Sequence, residues 1–540
     1  MTIAISPITR RRFIRELGLG AASLAVFPPL SSRRTAASKP NILFIMSDDH
    51  AYQAISCYGS KINRTPNIDR LARDGVRFTR SFCTNSLCAP SRAVLLTGKY
   101  SHLNGVIDNA VAFDGTQETF PKILQRAGYT TALFGKWHLK SDPTGFDYWN
   151  ILPGQGDYYN PDFIEMGRRG RREGYVTDLI TDDCLNWIRR QKSDASFCAL
   201  LHYKAPHRNW MPDGKHLSMY EGEDIPLPET FFDDYATRSD AARSQKMRIA
   251  DRITMGYDLK LDADTTGGQP TPRFLDDLWK RNFSRLNEEQ KRAWRDAYGP
   301  RNEAFRTSNL TGDALTKWKY EQYIKDYLRC IGSVDDNVGR VLDYLDQSGL
   351  AENTIVVYTS DQGSYLGEHG WFDKRFMYEE SLRMPLIVRY PAEISPRTAD
   401  EMVLNLDFAP TILDYAGAPV PAEMQGESMR DILRGKASED WRQSIYYHYY
   451  EYPGSPFVKR HYGVRTKRYK LIHFYYDIDA WELYDLQADP NELKNVYGDP
   501  RYSTTVNELK DELEQLRRKY EDTDEKKFLP SPEDPVKINK

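Results

Sequence analysis

The sequence predicts an α/β protein in which a large, mostly parallel sheet is sandwiched by helices, with a smaller C-terminal antiparallel sheet plus helix. Two continuous apolar runs, 41–47 and 354–360, are typical of strands buried on both faces of a parallel sheet. Capped helical segments alternate with such runs, as they do in α/β folds. After Trp441 the pattern changes to short aromatic runs separated by turns, which predicts antiparallel strands.

The first part of the chain has a regular strand and helix order. Pro66 lies in the first turn of a predicted helix and Gly75 ends it, which are the usual start and stop signals. A second helix ends in the same way at Gly128. The predicted elements are strands at 40–47, 78–82, 129–134 and 197–203, and helices at 65–75, 119–127 and 177–190.

Residues 208–312 interrupt this order with polar sequence that carries only short helical patterns. We interpret them as an elaboration of the α/β domain. A long helix follows from Asp313, because apolar and aromatic residues recur at steps of three and four until Gly349. Strands are then predicted at 354–360 and 384–390.

The C-terminal part is predicted to be a small subdomain. Its strands fall at 444–452, 462–466, 469–475 and 481–484, and an amphipathic helix follows at about 503–520. We therefore divide the chain into a signal peptide at 1–38, an α/β domain at 39–440, an α+β subdomain at 441–520 and a polar tail at 521–540.

The first 38 residues resemble a twin-arginine export signal. Arg10, Arg11 and Arg12 precede a weakly apolar run at 17–30, and small residues lie near Ala37. The run is shorter than the ~20 apolar residues of a membrane span, so no stable membrane span is expected. We expect the export machinery as a partner and a periplasmic or secreted bacterial protein.

The charge of the chain argues against a nucleic-acid partner. The first 38 residues carry six arginines and one glutamate, so without them the formal charge of −3 becomes −8. Nucleic-acid binding depends on an excess of cations. An anionic substrate therefore requires a local cationic pocket.

Six cysteines lie at 57, 83, 88, 184, 198 and 330, without the spacing of a zinc site. Cys184 and Cys198 fall within apolar runs and are expected in the core. A Cys57–Cys83 bridge is compatible with an oxidising compartment. Cys88 lies just before a predicted helix that has Pro90 in its first turn. It is therefore either an ordinary buried cysteine or a nucleophile precursor.

Carboxylate and amide side chains follow two of the predicted strands. Asp48 and Asp49 come directly after the strand at 40–47, and Asp361 and Gln362 follow the strand at 354–360. Ligands bind beyond the carboxyl ends of parallel strands. Adjacent carboxylates there predict a Ca²⁺ or Mg²⁺ site, with a helix N-cap as the alternative for the first pair.

Basic side chains follow the other strands. Lys136 and His138 come after the strand at 129–134, and His207 follows the strand at 197–203. Arg92 lies four residues after the cysteine, and Lys374 lies on a later loop. A cation site, a nucleophile precursor and several oxyanion donors together predict transfer of a sulfuryl or phosphoryl group.

These motifs resemble those of type I, formylglycine-dependent sulfatases of the alkaline phosphatase superfamily. The resemblance covers roughly 39–500 and implies an alkaline phosphatase-like fold and a sulfuric ester hydrolase. The matching blocks are Cys88-x-Pro90-Ser91-Arg92 with Leu96-Thr97-Gly98, Ser47-Asp48-Asp49, Gly135-Lys136-Trp137-His138, Ala205-Pro206-His207 and Ser360-Asp361-x-Gly363.

The resemblance implies two additions to the site. A separate formylglycine-generating, sulfatase-maturating enzyme would oxidise Cys88 to formylglycine. One Ca²⁺ per chain would be held by Asp48, Asp49, Asp361, Gln362 and the modified Cys88. The family usually has Asn where this chain has Gln362, so this residue either ligates the metal through a longer stem or lies just outside its ligands.

The resemblance also implies the roles of the basic residues. A hydroxyl of the hydrated formylglycine would attack the sulfur of a sulfate ester, with Arg92 and Lys136 stabilising the diol and the sulfate charge. His138 would deprotonate the second hydroxyl so that sulfate leaves. His207, with Lys374 nearby, would protonate the leaving alcohol.

The expected substrate is a sulfated carbohydrate. The block 361–375 resembles bacterial sulfatases acting on sulfated glycans, and the blocks 145–149 and 448–452 resemble N-acetylglucosamine-6-sulfatases. A 6-O-sulfated N-acetylglucosamine of a glycosaminoglycan or mucin is therefore expected. His448, His461 and Arg465 on the C-terminal sheet are the candidate sugar contacts.

Several alternatives share parts of this pattern. A sulfatase acting on algal polysaccharide or aryl sulfates would carry the same motifs, and a phosphodiesterase or phosphonate hydrolase of the superfamily can share the nucleophile. A two-zinc phosphatase lacks evident ligands for its second metal. A non-catalytic glycan-binding relative would not need the nucleophile, the bases and the metal ligands together.

Overall fold

Ten strands make one mixed sheet at the centre of the computed structural model, which describes residues 39–192, 195–261 and 272–529. The expected export signal at 1–38 lies outside the described residues. The strands are β1 Asn41–Ser47, β2 Val76–Phe78, β3 Ser81–Phe82, β4 Thr130–Lys136, β5 Tyr148–Leu152, β6 Asp162–Glu165, β7 Arg168–Arg171, β8 Phe197–His202, β9 Thr354–Ser360, β10 Tyr365–Leu366, β11 Phe372–Asp373, β12 Leu386–Arg389, β13 Arg397–Ala399, β14 Val403–Leu404, β15 Ser444–Tyr449, β16 His461–Thr466, β17 Tyr469–Phe474 and β18 Ala480–Asp485.

The strand order of the large sheet is β13-β2-β12-β9-β1-β8-β4-β5-β6-β7. The five central strands, from β9 to β5, are parallel, with Phe44 of β1 paired to Val357 of β9 and to Leu200 of β8. β12 is antiparallel to both of its neighbours, and β6 and β7 form an antiparallel hairpin at one edge. The carboxyl ends of four neighbouring strands, β9, β1, β8 and β4, therefore lie along one edge.

Helices cover both faces of the sheet. Alternate residues of β1 explain the two layers, because Phe44 belongs to one buried apolar cluster and Leu43 and Ile45 belong to the other. The helices are α1 Pro66–Arg73, α2 Cys88–Thr97, α3 Ser101–Asn104, α4 Phe120–Arg126, α5 Val176–Ile188, α6 Asp240–Ser244, α7 Ile249–Arg252, α8 Arg273–Ser284, α9 Glu288–Ser308, α10 Gly312–Gln347, α11 Glu379–Leu382, α12 Phe408–Tyr415, α13 Arg430–Leu433 and α14 Ser503–Lys519. Among the described helices, none combines the length and the apolar character that crossing a membrane requires.

The C-terminal part is a four-stranded antiparallel sheet, β15-β16-β17-β18, with α14 packed against it. The segment after α14 begins with a packed residue, because Asp522 is buried and its carboxylate accepts a 2.8 Å hydrogen bond from Tyr446 Oη. Within the expected polar tail at 521–540, Asp522 is therefore packed against the subdomain, whereas the other described residues of the tail are exposed or half-buried.

One sequence expectation needs correction, and the structure answers one question that the sequence left open. The region 208–312 contains α9, a helix of 21 residues, although only short helices were expected there. Pro300 and few buried positions obscure its pattern, but Asn287 and Gln290 form a capping box that marks its start. The six cysteines are free, and the Sγ of Cys83 lies 3.1 Å from Ser86 Oγ instead of in a bridge to Cys57.

Candidate active site

The predicted metal ligands meet at the carboxyl edge of the sheet. Asp48 and Asp49 follow β1, and Asp361 and Gln362 follow the neighbouring β9. One ligand oxygen from each of the three aspartates lies within 4.8 Å of the others, and all three residues are buried. Gly363 is required next to them, because a Cβ at that position would lie 2.1 Å from the Glu380 carbonyl oxygen.

The negative charges of these carboxylates repel one another. Burial and the neighbouring Asp48 raise the pKa of Asp361 to about 7, against an ordinary value of 3.8. Burial also raises the pKa of Asp49, although Lys374 opposes the change. Only at Asp48 do cations outweigh burial, since Lys136 and Arg92 hold the pKa of that carboxyl well below its usual value. A bound cation would relieve this repulsion.

Gln362 has the free oxygen that a cation ligand needs. Its side-chain nitrogen donates to Asp49 Oδ1 and lies 3.6 Å from the Sγ of Cys88. Its Oε1 is buried without a hydrogen-bond partner among the described residues. A buried unpaired oxygen is costly unless something else satisfies it. Three carboxylates and one amide oxygen fit a hard cation such as Ca²⁺.

Cys88 lies at the first position of α2, buried next to the carboxylate cluster. Its thiol donates a 3.4 Å hydrogen bond to Asp48 Oδ1. Burial and the negative charge of Asp48 raise the pKa of the thiol far above its ordinary value. The side chain is therefore held as a neutral thiol, which is a poor nucleophile.

Three cations surround this cysteine. Arg92 Nη2 donates a 2.9 Å hydrogen bond to Asp361 Oδ2, and Lys136 Nζ is paired with Asp48. Lys374 Nζ lies 2.6 and 2.7 Å from the two carboxylate oxygens of Asp49. All three cations are buried, so their fields act on the site with little screening by water.

The two predicted histidines lie at the same edge. His138 follows β4 and has a buried Nδ1 without a partner among the described residues. His207 follows β8, and its Nε2 lies 3.8 Å from Asp49 Oδ2 while its Nδ1 lies 2.6 Å from the Arg208 carbonyl oxygen. Burial and the charge of Lys136 hold the pKa values of both rings well below the usual value, so both are neutral near pH 7.

A cleft opens beside the cluster and contains residues that the sequence did not indicate. Arg208 belongs to the 208–312 elaboration and is held by two 2.7 Å hydrogen bonds to Asp258. Asp373 and Arg375 flank Lys374 with φ of 81° and 98°, a strained region for side chains other than glycine. The residues lining the cleft are Asp49, Asn109, Gln155, His207, Arg208, Trp210, Tyr327, Ser364, Phe372, Asp373, Lys374 and Arg375.

The candidate sugar contacts of the C-terminal sheet are not in this cleft. His448 is buried, and its two ring nitrogens lie within 2.7 Å of Asp522 and Tyr475. His461 is fully buried and accepts a hydrogen bond from the Met377 amide. Arg465 is paired with Glu379. We therefore correct this expectation, because all three side chains have internal partners and lie away from solvent.

Three carboxylates that could hold a metal ion, three buried cations and a cysteine at a helix N-terminus thus lie together at one edge of an α/β sheet. The family model described as Sulfatase matches residues 40–418, and the model described as N-sulphoglucosamine sulphohydrolase, C-terminal, matches residues 367–519. The chain belongs to the sulfatase family and is an enzyme of that family, which confirms the resemblance drawn from its motifs.

Two known proteins are similar over nearly the whole chain. An N-acetylglucosamine-6-O-sulfatase of Bacteroides thetaiotaomicron is 49% identical over 512 residues, which are 94% of this chain and 91% of the relative. A solved enzyme in complex with its substrate D-glucosamine-2-N,6-O-disulfate is 50% identical, with a TM-score of 0.86 over 90% of this chain and 99% of that chain.

A second solved structure is similar in fold alone. The phosphonate monoester hydrolase of Agrobacterium radiobacter is 20% identical, with a TM-score of 0.65 over 89% of this chain and 96% of that chain. These structural neighbours and the observed sheets confirm the expected alkaline phosphatase-like fold.

Proposed function

We propose that this sulfatase removes the 6-O-sulfate of a glucosamine-type sugar in a sulfated glycan, using formylglycine made from Cys88 and one Ca²⁺. The observation that carries the proposal is the place of Cys88, whose buried thiol donates a 3.4 Å hydrogen bond to the Asp48 carboxylate among three buried cations. A thiol held in this state does not explain hydrolysis, whereas an oxidised side chain at the same place does.

Asp48, Asp49, Asp361 and the Oε1 of Gln362 are the residues that would hold Ca²⁺. Bound there, the ion supplies Lewis acidity to an oxygen of the ester. Gln362 is the departure from the usual family residue, and its buried, unpaired oxygen supports its assignment as a ligand.

The cations beside Cys88 would hold the sulfate group. Arg92 and Lys136 are fixed by Asp361 and Asp48, so they need little rearrangement as charge develops in the transition state. Lys374, paired with Asp49, faces the same cleft. A bound metal ion would neutralise part of the negative charge of the carboxylates. Arg92, Lys136 and Lys374 would then be available to the anionic ester.

The two histidines would move the protons. His138 is neutral near pH 7 because burial disfavours its cation, so it can accept a proton from the side chain at position 88. His207 keeps a proton on Nδ1 through its bond to the Arg208 carbonyl and must gain a second on Nε2 to act as an acid. The negative charge of a bound sulfate ester favours this protonation.

The cleft suits one sugar ring. Its volume is about 210 Å³, below the roughly 300–1,000 Å³ of pockets for drug-sized ligands. Asn109, Asp373, Arg375 and Arg208 provide donors and acceptors for ring hydroxyls or a second anionic group. The disulfated glucosamine bound by the similar solved enzyme supports this substrate class.

Two partners follow from the same proposal. The oxidation of Cys88 requires a maturation enzyme, and the cysteine is buried once folded, so maturation would precede folding. The twin-arginine pattern at 10–12 then supports export of the folded enzyme to the periplasm or the medium.

The test is a screen of matured enzyme against glucosamine and N-acetylglucosamine carrying sulfate at single ring positions, scored by sulfate release. We expect turnover of the 6-O-sulfates to exceed that of other positions. A phosphodiester or phosphonate monoester measured on the same preparation is the matched comparison. Faster turnover of either phosphorus ester by orders of magnitude would overturn the proposal.

A further inference from the structure

A cleft lined by arginines lies at the edge of the large sheet, apart from the active site. Four of the five residues from 168 to 172 are arginines, and they form β7 and the residue after it. Together with Arg190, which follows α5, they line a cleft of about 430 Å³. Such a concentration of cations is unexpected in a chain whose formal charge is negative.

The cations of this cleft are only partly neutralised. Arg172 is paired with Asp183, and Arg171 with Asp162. Arg168 and Arg169 are exposed and have no ion-pair or hydrogen-bond partner in the part of the chain that the structure describes. The Glu165 carboxylate in the cleft accepts a 2.5 Å hydrogen bond from Tyr148 Oη. The cleft thus presents a net positive surface to solvent.

The register connects this surface to the active-site edge. Arg171 of β7 pairs with Asp162 of β6, and Ile164 of β6 pairs with Ile151 near the carboxyl end of β5. Arg171 therefore lies level with the edge that carries the catalytic residues, and Arg168 lies farther from it. With strands about 4.8 Å apart, β7 is roughly 14 Å from β4. The segment between β5 and β6 also contributes Gln155 to the catalytic cleft.

We propose that this arginine cleft is a second binding surface for a sulfated polysaccharide, holding the chain whose sugar occupies the active site. The proposal rests on the proposed function, because it takes the substrate to be part of a sulfated glycan. Guanidinium groups bind sulfate through paired hydrogen bonds, and a row of them concentrates a polyanion near the catalytic cleft.

A nucleic acid fits this surface less well. Single-stranded nucleic acids bind where aromatic rings are free to stack on bases. Phe163 in the cleft is buried and covered by the guanidinium of Arg172, 5.2 Å from the ring centroid. The hydroxyl of Tyr148 is bonded to Glu165. The described residues of the cleft therefore offer charge and hydrogen-bond donors without a stacking platform.

Gly170 provides a substitution that leaves the fold intact. It lies in the middle of β7, and a Cβ at this position would meet no atom within 4 Å. Gly170→Glu therefore places a carboxylate in the cleft without a steric clash. The double variant Arg168→Glu with Arg169→Glu reverses the two unpaired cations. Arg73→Glu, on an exposed side chain of α1, is the control outside the cleft, and its charge change of −2 lies between the −1 of Gly170→Glu and the −4 of the double variant.

The experiment compares a heparin-derived polysaccharide with glucosamine 6-sulfate as substrates of the matured enzyme. We expect both cleft variants to raise KM for the polymer at least about tenfold and to elute earlier from immobilised heparin. Their kcat/KM for the monosaccharide should stay within about twofold of the unaltered enzyme. Arg73→Glu should change neither quantity.

Three results would overturn the proposal. The first is a polymer KM and a heparin retention that stay unchanged in both cleft variants. If the variants self-associate while both quantities stay unchanged, the arginines protect an edge strand from pairing and do not bind the polysaccharide. The second is equal loss of monosaccharide turnover, which would place the cleft in the catalytic machinery or the fold. The third is retention of duplex DNA or of a desulfated chain as strong as that of heparin. If the unaltered enzyme turned over no monosaccharide, the proposed function would fail, and heparin retention would still test this surface.

Discussion

The buried carboxyl of Asp361 makes the free energy of unfolding of the metal-free protein depend on pH. The direction and the size of its contribution can both be calculated. Its carboxyl is fully buried, and burial together with Asp48 raises its pKa to about 7 from 3.8. The folded protein therefore binds this proton more tightly than the unfolded chain. The stability that the protonated carboxyl contributes is complete below about pH 4 and is lost as the pH rises through about 7.

The magnitude follows from the difference in pKa. At 1.36 kcal/mol per pKa unit, the loss from Asp361 amounts to about 4 kcal/mol in the free energy of unfolding. Asp49 acts in the same direction, since its pKa is also raised by burial. Asp48 has a lowered pKa, so its contribution changes only below about pH 4 and lies outside this window.

The assay is denaturant unfolding at about pH 5 and about pH 7.5, with a chelator or with excess Ca²⁺. Buried neutral histidines such as His138 and His207 act in the opposite direction over this range, because their pKa values are lowered in the fold. The contribution of Asp361 is therefore read as the stability of the chelated protein minus that of chelated Asp361→Asn, which keeps the same histidines. This difference should fall from the lower to the higher pH, and Ca²⁺ should stabilise the unaltered protein more at the higher pH, because the ion competes with protons for the carboxylates. Asp361→Asn should lose most of the response to Ca²⁺. Asp296→Asn, on the exposed face of α9, is the matched control and should behave like the unaltered protein. A difference that is level or grows between these pH values would refute the reasoning.

Further predictions concern single side chains of the site. Gln362→Leu should weaken Ca²⁺ binding at least about tenfold, whereas Gln362→Asn, which keeps the amide, should weaken it less, as measured by calcium titration. Equal losses in the two variants would exclude Gln362 as a ligand. His207→Ala should lower kcat by about 10²-fold or more for a sugar sulfate and much less for 4-nitrophenyl sulfate, whose leaving group needs no proton. An equal loss of kcat with both substrates would exclude His207 as the acid. The acid limb of kcat/KM should lie below pH 6.5, because burial lowers the pKa of His138, and a limb above that value would contradict its role as base.

Most of the candidate site could be predicted because its residues follow buried strands. A continuous apolar run marks such a strand, and the parallel order brings its carboxyl end to a common edge. The strand pattern therefore predicts that Asp48, Asp361, Lys136 and His207 lie close together. The positions of β9 and β1 match the expected runs to within a residue.

The cleft could not be predicted in the same way. Asn109, Gln155 and Arg208 come from loops that are distant in sequence. Loops have no periodic sequence pattern from which their position in the fold can be predicted. The orientation of Asp373 and Arg375 depends on positive φ angles that these residue types do not signal. His448 and His461 show the opposite error, since polar residues on an aromatic sheet were expected to face a ligand and instead form buried hydrogen bonds.

The central claim is that Cys88 acts as formylglycine and never as a thiol. The direct measurement uses preparations made with increasing amounts of maturation enzyme. In each preparation, peptide mass analysis gives the fraction of Cys88 that is converted to formylglycine. This fraction is compared with the rate of sulfate release from glucosamine 6-sulfate. The account predicts a rate proportional to the converted fraction, reaching background when none is converted. Full activity in a preparation whose Cys88 is entirely unmodified would contradict it.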